Sequence, residues 1–183
     1  MKERKTQIIL LVCLAGIVLI GSVITGVVVY KSKTAVVETT REIFATSADT
    51  ITYTDIEGRE LALEDYLGKV LVVVSWASWS PFSATDLANL DTLAAEISSP
   101  DVVFIAMNRK ETKEQAARYL ATERDYQNLI LVIDTEDKFY SAVSGYAMPE
   151  SLVFNQKGEI VLHDRGVTNI NAVRDAITMA LTE

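Results

Sequence analysis

The sequence contains very little cysteine: Cys13 is the only one among 183 residues, and none follows it. Disulfide frameworks, cysteine-ligated metal sites and thiol catalysis are therefore excluded from everything beyond residue 13. Histidine is equally scarce, because His163 is the only one. A metal site would have to combine that single histidine with scattered carboxylates, so we expect no metal and no other cofactor.

Basic residues are also in short supply beyond the N-terminus. From residue 31 to residue 183 the chain has 24 acidic and 14 basic side chains, a formal charge of −10. Nucleic acids and anionic lipid surfaces are bound by basic patches. We therefore expect this part of the chain to bind neither nucleic acid nor the surface of an anionic membrane.

Charged side chains are absent from residues 6–30, and residues 8–30 form one apolar run, I-I-L-L-V-C-L-A-G-I-V-L-I-G-S-V-I-T-G-V-V-V-Y. A helix of this length covers roughly 34 Å, enough for about 30 Å of hydrocarbon. A cleaved signal peptide is the alternative, but its apolar region spans only about 7 to 15 residues before a small-residue cleavage site. We therefore predict a tail at residues 1–7 and an uncleaved transmembrane anchor at residues 8–30, in which Cys13 simply packs as a small apolar side chain.

Three basic residues lie on each side of this run, so the positive-inside rule does not decide its orientation. A tail this short usually stays in the cytoplasm, and we predict a single-pass protein of the cell membrane with a cytoplasmic N-terminus and an extracytoplasmic domain. Ser22 and Gly26 form one pair of small residues that could bring two anchors together as a homodimer.

The rest of the chain divides into a stalk and a domain. Residues 31–49 are rich in Ser, Thr and charge and show no sustained period, whereas residues 50–183 alternate between strand-like and helix-like stretches. Continuous β-branched runs predict buried strands at residues 70–76, 102–107 and 129–133, and helical spacing predicts helices at 84–97, 112–123 and 169–181. With a hairpin at residues 151–162, the pattern specifies an α/β sandwich around a mixed sheet.

The most informative segment is W-A-S-W-S-P-F-S, residues 76–83, between a buried strand and an amphipathic helix. The segments L-E-D-Y-L-G-K, I-D-T-E-D-K-F-Y-S-A-V-S-G-Y, M-P-E-S-L-V-F-N-Q-K-G-E-I-V and H-D-R-G surround it. In this order the chain resembles the membrane-anchored TlpA/ResA-like domains of the thioredoxin superfamily, or redoxin domains, whose motif is W-A-x-W-C-x-x-C. The resemblance implies a thioredoxin-like three-layer sandwich with a central mixed sheet, preceded by one transmembrane helix.

The resemblance places the nucleophilic cysteine of the family on Ser80 and its resolving cysteine on Ser83. Thiol exchange requires a thiolate that attacks a disulfide and forms a mixed disulfide. A serine hydroxyl ionises too weakly and cannot form that intermediate. The resemblance therefore implies a degenerate active site with no catalytic residue. Val74 stands where thioredoxins often carry a buried acid.

Two other roles are considered for Ser80, besides that of a replaced nucleophilic cysteine. Serine followed by Pro81 at a helix start is typical of an N-cap followed by proline at the first helical position. A nucleophilic Ser80 would need a positioned base, and His163, at the end of the last strand, is expected to be a surface or strand-edge residue. Trp76 is predicted to belong to the core. Charged residues of the helices are predicted to be solvated: Asp86, Asp91, Glu96, Glu114 and Glu123.

Met148 and Pro149 correspond to the family's proline, which is usually cis and lies beside the start of the active-site helix. In relatives, the residue before this proline pairs its backbone with a bound peptide. The resemblance thus implies a peptide-binding patch made of Trp79, Pro81, Phe82, Met148 and Pro149. Internal packing of Trp79 and Met148 is the alternative, whereas an exposed Phe82 would indicate a contact surface.

Three functional hypotheses follow. The first is a redox-inactive module that binds a protein or extended peptide in the extracytoplasmic space. The second is a TlpA-like thiol-disulfide oxidoreductase by homology, or a cysteine-to-serine variant of one. The third is thiol-independent catalysis through Ser80.

Overall fold

The computed structural model describes residues 51–182. The predicted tail, anchor and stalk, with Cys13, Ser22 and Gly26, lie outside these residues. Of the helices between residues 51 and 182, none is long and apolar enough to cross a membrane.

Seven strands and four helices follow one another in the described part of the chain. The strands are β1 Thr52–Asp55, β2 Glu60–Ala62, β3 Val70–Trp76, β4 Val102–Arg109, β5 Ile130–Asp134, β6 Glu150–Phe154 and β7 Ile160–Arg165. The helices are α1 Ser83–Ile97, α2 Lys113–Leu120, α3 Lys138–Ala142 and α4 Ile170–Ala180, and a short 3-10 helix occupies Leu63–Tyr66.

All seven strands form one mixed sheet in the order β2-β1-β5-β4-β3-β6-β7. β4 runs parallel to β3 and to β5, and the remaining pairs are antiparallel. β3 lies inside the sheet, between β4 and β6. Every residue of V-L-V-V-V-S-W is buried, so neither face of this strand meets water. The predicted mixed sheet is confirmed. β3 ends at Trp76, so the segment that begins there lies at the end of this central strand.

Helices cover both faces of the sheet and give two cores. One core joins the sheet to α1, α2 and α4 and includes Trp76, Leu87 and Val173. The other joins it to α3 and the 3-10 helix and includes Leu63 and Phe139. The prediction that Trp76 belongs to the core is confirmed, because its side chain is fully buried.

Local signals explain where two of the helices begin. Thr112 caps α2: its hydroxyl accepts the Gln115 N–H, and the Gln115 side chain accepts the Thr112 N–H. Asn169 caps α4 by accepting the Ala172 N–H.

The observed α1 agrees with the predicted helix at residues 84–97 to within one residue, but the predicted N-cap does not. The helix begins at Ser83, and the Ser83 N–H closes a turn on the Ser80 carbonyl at 3.3 Å. The prediction that Ser80 is the N-cap is therefore wrong. Its hydroxyl is directed to the Met148 carbonyl instead of to the first turn of the helix.

The predicted exposure of the acidic residues on the helices is confirmed only in part. Glu96 and Glu114 are exposed, as predicted, and Glu123 is half-buried, but Asp86 and Asp91 are buried. Asp91 accepts the backbone and side-chain N–H groups of Asn128 and forms an ion pair with Arg124. The prediction of solvated side chains is wrong for these two aspartates, because distant segments supply donors that helical spacing does not reveal.

Candidate functional site

Ser80 and Ser83 lie in and directly after the loop that joins β3 to α1, and both are buried. The Ser83 hydroxyl accepts the Ala77 N–H at 3.2 Å, so it fastens the loop to the first residue of the helix. The Ser80 hydroxyl donates to the Met148 carbonyl at a long 3.5 Å. Each hydroxyl therefore has a neutral backbone partner.

The histidine is engaged elsewhere. Its Nε2 lies 2.9 Å from Glu150 Oε2, and its Nδ1 lies 3.1 Å from Arg165 Nη2. His163 belongs to β7, the edge strand of the sheet, which confirms the strand-edge prediction. The hydrogen bonds found in residues 51–182 give Ser80 no basic partner, so its hydroxyl is not activated as a nucleophile in this arrangement.

A buried glutamate ties the same loop to the end of β4. Glu111 accepts the Ser78 N–H at 2.9 Å and an Asn108 side-chain N–H at 2.7 Å, and it also accepts the Ser78 hydroxyl. The hydrogen bonds of Glu111 to Ser78 thus fix the backbone next to Trp79. Trp79 itself is left on the surface.

The Met148–Pro149 peptide bond is cis, as the family resemblance implies. Met148 is half-buried, whereas the Pro149 ring is buried beneath the surface. The Pro149 carbonyl accepts the Gly166 N–H at 2.9 Å. With the contact from Ser80 to Met148, this bond brings three loops together at residues 77–82, 144–149 and 166–168.

Apolar side chains on these three loops are exposed. Trp79 is 62% exposed, Phe82 50%, Tyr146 77% and Val167 53%, and Pro81 beside them is exposed as well. We call the group Trp79, Pro81, Phe82, Tyr146, Met148 and Val167 the docking surface. The family resemblance predicts four of these residues as peptide-binding but does not include Tyr146 and Val167, whose signal was their closeness in sequence to Met148 and to the end of β7.

Glu150, which no sequence pattern singled out, organises the loop before the cis proline. It is fully buried, and its Oε1 accepts the N–H groups of Tyr146 and Ala147, each at 2.7 Å. A signal for it was available, namely one acidic residue at the start of an apolar strand with the only histidine on the neighbouring strand.

The other side of this loop rests on α3. Arg109 binds Asp137 through two hydrogen bonds, at 2.7 and 3.0 Å, and its guanidinium carbon lies 3.6 Å from the centre of the Tyr140 ring. The Tyr140 hydroxyl donates to the Ala147 carbonyl at 2.8 Å. The loop is therefore held by Tyr140 as well as by Glu150.

Asp86 is the remaining buried acid near the serines. It accepts the N–H and the hydroxyl of Thr168, which in turn contacts the Ser151 hydroxyl. Burial raises the pKa of Asp86, and the two donors of Thr168 offset part of that rise. This contact joins α1 to the loop that carries Val167.

Comparison with known proteins agrees with this geometry. The family model named Redoxin matches residues 44–178. The chain is 24% identical to "Thiol-disulfide oxidoreductase ResA" of Geobacillus kaustophilus, over 67% of this chain and 70% of that protein.

Two solved structures share the fold. A putative thiol:disulfide interchange protein DsbE from Chlorobium tepidum matches with a TM-score of 0.65 at 20% identity, over 73% of this chain and 94% of that one. An exposed lipoprotein thioredoxin from Streptococcus pneumoniae matches with a TM-score of 0.63 at 22% identity, over 71% and 98% of the two chains.

Proposed function

The chain belongs to the redoxin family, and from that premise we propose that it is a redox-inactive member that binds an extended segment of another protein. The observation that carries the proposal is a pair of buried serines, at the positions that the family resemblance assigns to the reactive cysteines, beneath exposed apolar side chains. Disulfide exchange needs a thiolate, and no cysteine follows Cys13. What the site retains is the capacity to bind.

The docking surface has the composition of a binding site. Tryptophan, tyrosine and phenylalanine supply large contact areas with few rotatable bonds, and they are enriched where proteins bind one another. Exposed apolar patches of this kind mark contacts more often than chance exposure does. In the relatives that the motif resembles, the residue before the cis proline pairs with a peptide backbone, and Met148 would have that role here.

The location proposed for this module is the outer side of the cell membrane. The support is the apolar run at residues 8–30 and the similarity to a streptococcal protein known as an exposed lipoprotein thioredoxin. Membrane fractionation of the full chain and of a chain lacking residues 1–30 tests this location. Loss of membrane association only in the shortened chain supports the anchor, and equal behaviour of both chains contradicts it.

A disulfide reductase assay tests the proposed lack of redox activity. The full-length protein is given a disulfide substrate and a dithiol donor, with ResA of Geobacillus kaustophilus as the positive control. We expect no turnover above that of the donor alone, because Ser80 and Ser83 cannot form a mixed disulfide. Thiol-dependent turnover by this protein would contradict the proposal.

Photocrosslinking tests the binding role. A photoreactive amino acid at position 82 is expected to give a discrete adduct in cells that disappears when Trp79 is changed to Ser. The same probe at Met179, an exposed apolar residue of α4 outside the docking surface, is the matched control. Identical adducts from both positions, or adducts that survive Trp79→Ser, would contradict specific docking.

The relatives favour one alternative, a thiol-disulfide oxidoreductase of which this chain is a cysteine-to-serine form. Reading codons 80 and 83 of the natural gene separates the two proposals. Cysteine codons there would support a modified oxidoreductase, and serine codons would support a natural binding module.

A further inference from the structure

A line of four polar side chains runs from the rim of the docking surface into the protein. The Arg165 guanidinium carbon lies 4.9 Å from the centre of the exposed Tyr146 ring. Arg165 Nη2 lies 3.1 Å from His163 Nδ1, and His163 Nε2 lies 2.9 Å from Glu150 Oε2. Glu150 is fully buried, His163 is mostly buried and Arg165 is partly exposed.

The donors and acceptors along this line define the state of the histidine. A guanidinium group can only donate hydrogen bonds, so His163 Nδ1 must accept from Arg165. The proton of the neutral ring is therefore on Nε2, from which it is donated to the Glu150 carboxylate. This arrangement therefore requires an Nδ1 without a proton.

Protonation of His163 is incompatible with this arrangement. A second proton on Nδ1 would face an N–H of Arg165 across 3.1 Å, and two cations would stand where a donor and an acceptor now meet. The Nε2 bond to Glu150 would persist and become stronger, since both of its partners would then be charged. Arg165 is also paired with Glu150, whose Oε1 lies 3.9 Å from Arg165 Nε. A charged His163 at 2.9 Å would compete with Arg165 for that carboxylate. Arg165, which already reaches solvent, is therefore the group that can move away, and its contact with Tyr146 would be lost with it.

The other ionisable groups near Glu150 do not take over this role. Arg109 of β4 forms an ion pair with Asp137, the residue directly before α3 in the sequence. Burial raises the pKa of Tyr140 of α3, so this phenol stays neutral where histidine titrates.

The next residue on β7, Asp164, accepts the Asn169 N–H at 2.8 Å and so belongs to a different contact. No second histidine competes for the proton, because the whole chain contains one.

We propose that His163 is a pH-dependent switch that holds Arg165 and Tyr146 in place at the rim of the docking surface when neutral and releases them when protonated. Its role in regulating partner binding rests on the proposed docking function. The switch itself rests only on the four side chains.

Nuclear magnetic resonance of the full-length protein tests the switch. One histidine gives one set of ring signals, so its titration is assigned without ambiguity. We expect the Tyr146 ring signals and the Arg165 Nε signal to shift with the same midpoint as the His163 ring. Tyr146 signals that stay constant while His163 titrates would overturn the proposal.

Two variants give the test a second arm. His163→Gln retains an amide NH2 donor group and a carbonyl acceptor but cannot take up the proton, so the pH-dependent shift of Tyr146 should disappear. In Arg165→Gln, His163 still titrates, but Tyr146 should no longer follow it. A Tyr146 shift of the wild-type size in either variant would show that His163 does not act through Arg165.

Crosslinking through position 82 at about pH 8 and about pH 5 separates the switch from the docking function. We expect the adduct yield to change with pH in the wild type and to stay constant in His163→Gln. If His163 and Tyr146 titrate together but no adduct forms, only the docking function is contradicted. If an adduct forms but the two groups do not titrate together, only the switch is contradicted. If they titrate together but the adduct yield does not depend on pH, the regulatory role is contradicted.

Discussion

Ser80 and Ser83 hold equivalent places in a family motif but have different surroundings. The Ser83 hydroxyl satisfies the Ala77 N–H inside the protein, whereas the Ser80 hydroxyl makes one long contact with the Met148 carbonyl. A buried N–H that loses its acceptor costs much more than a weak contact does. The two positions should therefore respond differently to the same change.

Ser83→Ala is expected to lower the free energy of unfolding by about 1–3 kcal/mol, because it leaves the buried Ala77 N–H without its acceptor. Ser80→Ala, the matched control, should lower it by less than Ser83→Ala does, because it removes only one long contact, at 3.5 Å. Urea unfolding of the full-length variants measures both values. Equal losses at the two positions would show that the Ser83 bond does not stabilise the loop.

Asp86 should make stability depend on pH in the direction opposite to that of an ion-paired aspartate. Its pKa in the folded protein is raised above the ordinary 3.8, so the folded state keeps a proton that the unfolded state has released. The stability of the wild type relative to Asp86→Asn should therefore fall as pH rises from about 4 through the raised pKa, and level off above it.

Unfolding of the two proteins between about pH 3 and pH 8 measures this difference. Asp101→Asn, at an exposed aspartate, controls for the loss of one negative charge. A stability difference that rises with pH would mean that hydrogen bonding from Thr168 outweighs burial at Asp86.

At the scale of elements, the contact between α3 and the loop before the cis proline is unusually close. A Cβ at Gly145 would lie 2.6–2.7 Å from atoms of the Tyr140 ring, whose hydroxyl holds the Ala147 carbonyl. Gly145 is therefore required by packing against Tyr140.

Gly145→Ala is expected to destabilise the protein by about 1–3 kcal/mol, because the Tyr140 ring must move and overpacking strains its neighbours. The same change in a Tyr140→Ala background should cost much less, because the ring it would strike is gone. A double-mutant cycle in urea measures the coupling. Additive losses would contradict the proposed clash.

The elements were predictable from local patterns, whereas their long-range partners were not. The β-branched run of β3 and the spacing of α1 reflect burial along one segment, so sequence alone reveals them. The direction of the Ser80 hydroxyl depends on Met148, a residue 68 positions away. The burial of Asp86 likewise depends on Thr168, which lies 82 positions away.

At the scale of the whole molecule, a thioredoxin-like fold with a mixed sheet, a cis proline and three adjoining loops surrounds the two serines. That positions 80 and 83 correspond to the family's reactive pair stays a prediction from the motif. The polar line from Tyr146 to Glu150 could not be predicted from the sequence, because it depends on the pairing of β6 with β7.

The double variant Ser80→Cys/Ser83→Cys should therefore regain thiol chemistry. We expect it to form a disulfide that a dithiol reduces, with two titratable thiols appearing on reduction and measurable turnover in the reductase assay. Ser80→Cys alone, the control, should show one additional thiol and no catalytic cycle. A double variant that folds but forms no reducible disulfide would mean that the frame no longer positions the pair.

The two tryptophans of the chain stand three residues apart in opposite environments. Trp76 is enclosed in the core against Tyr119, whereas Trp79 projects from the docking surface. A collisional quencher added to the folded protein should extinguish the fluorescence of Trp79 and spare that of Trp76. The unlabelled protein thus carries its own optical reporter, in which the quenchable fraction follows occupancy of the surface and the protected fraction follows integrity of the fold.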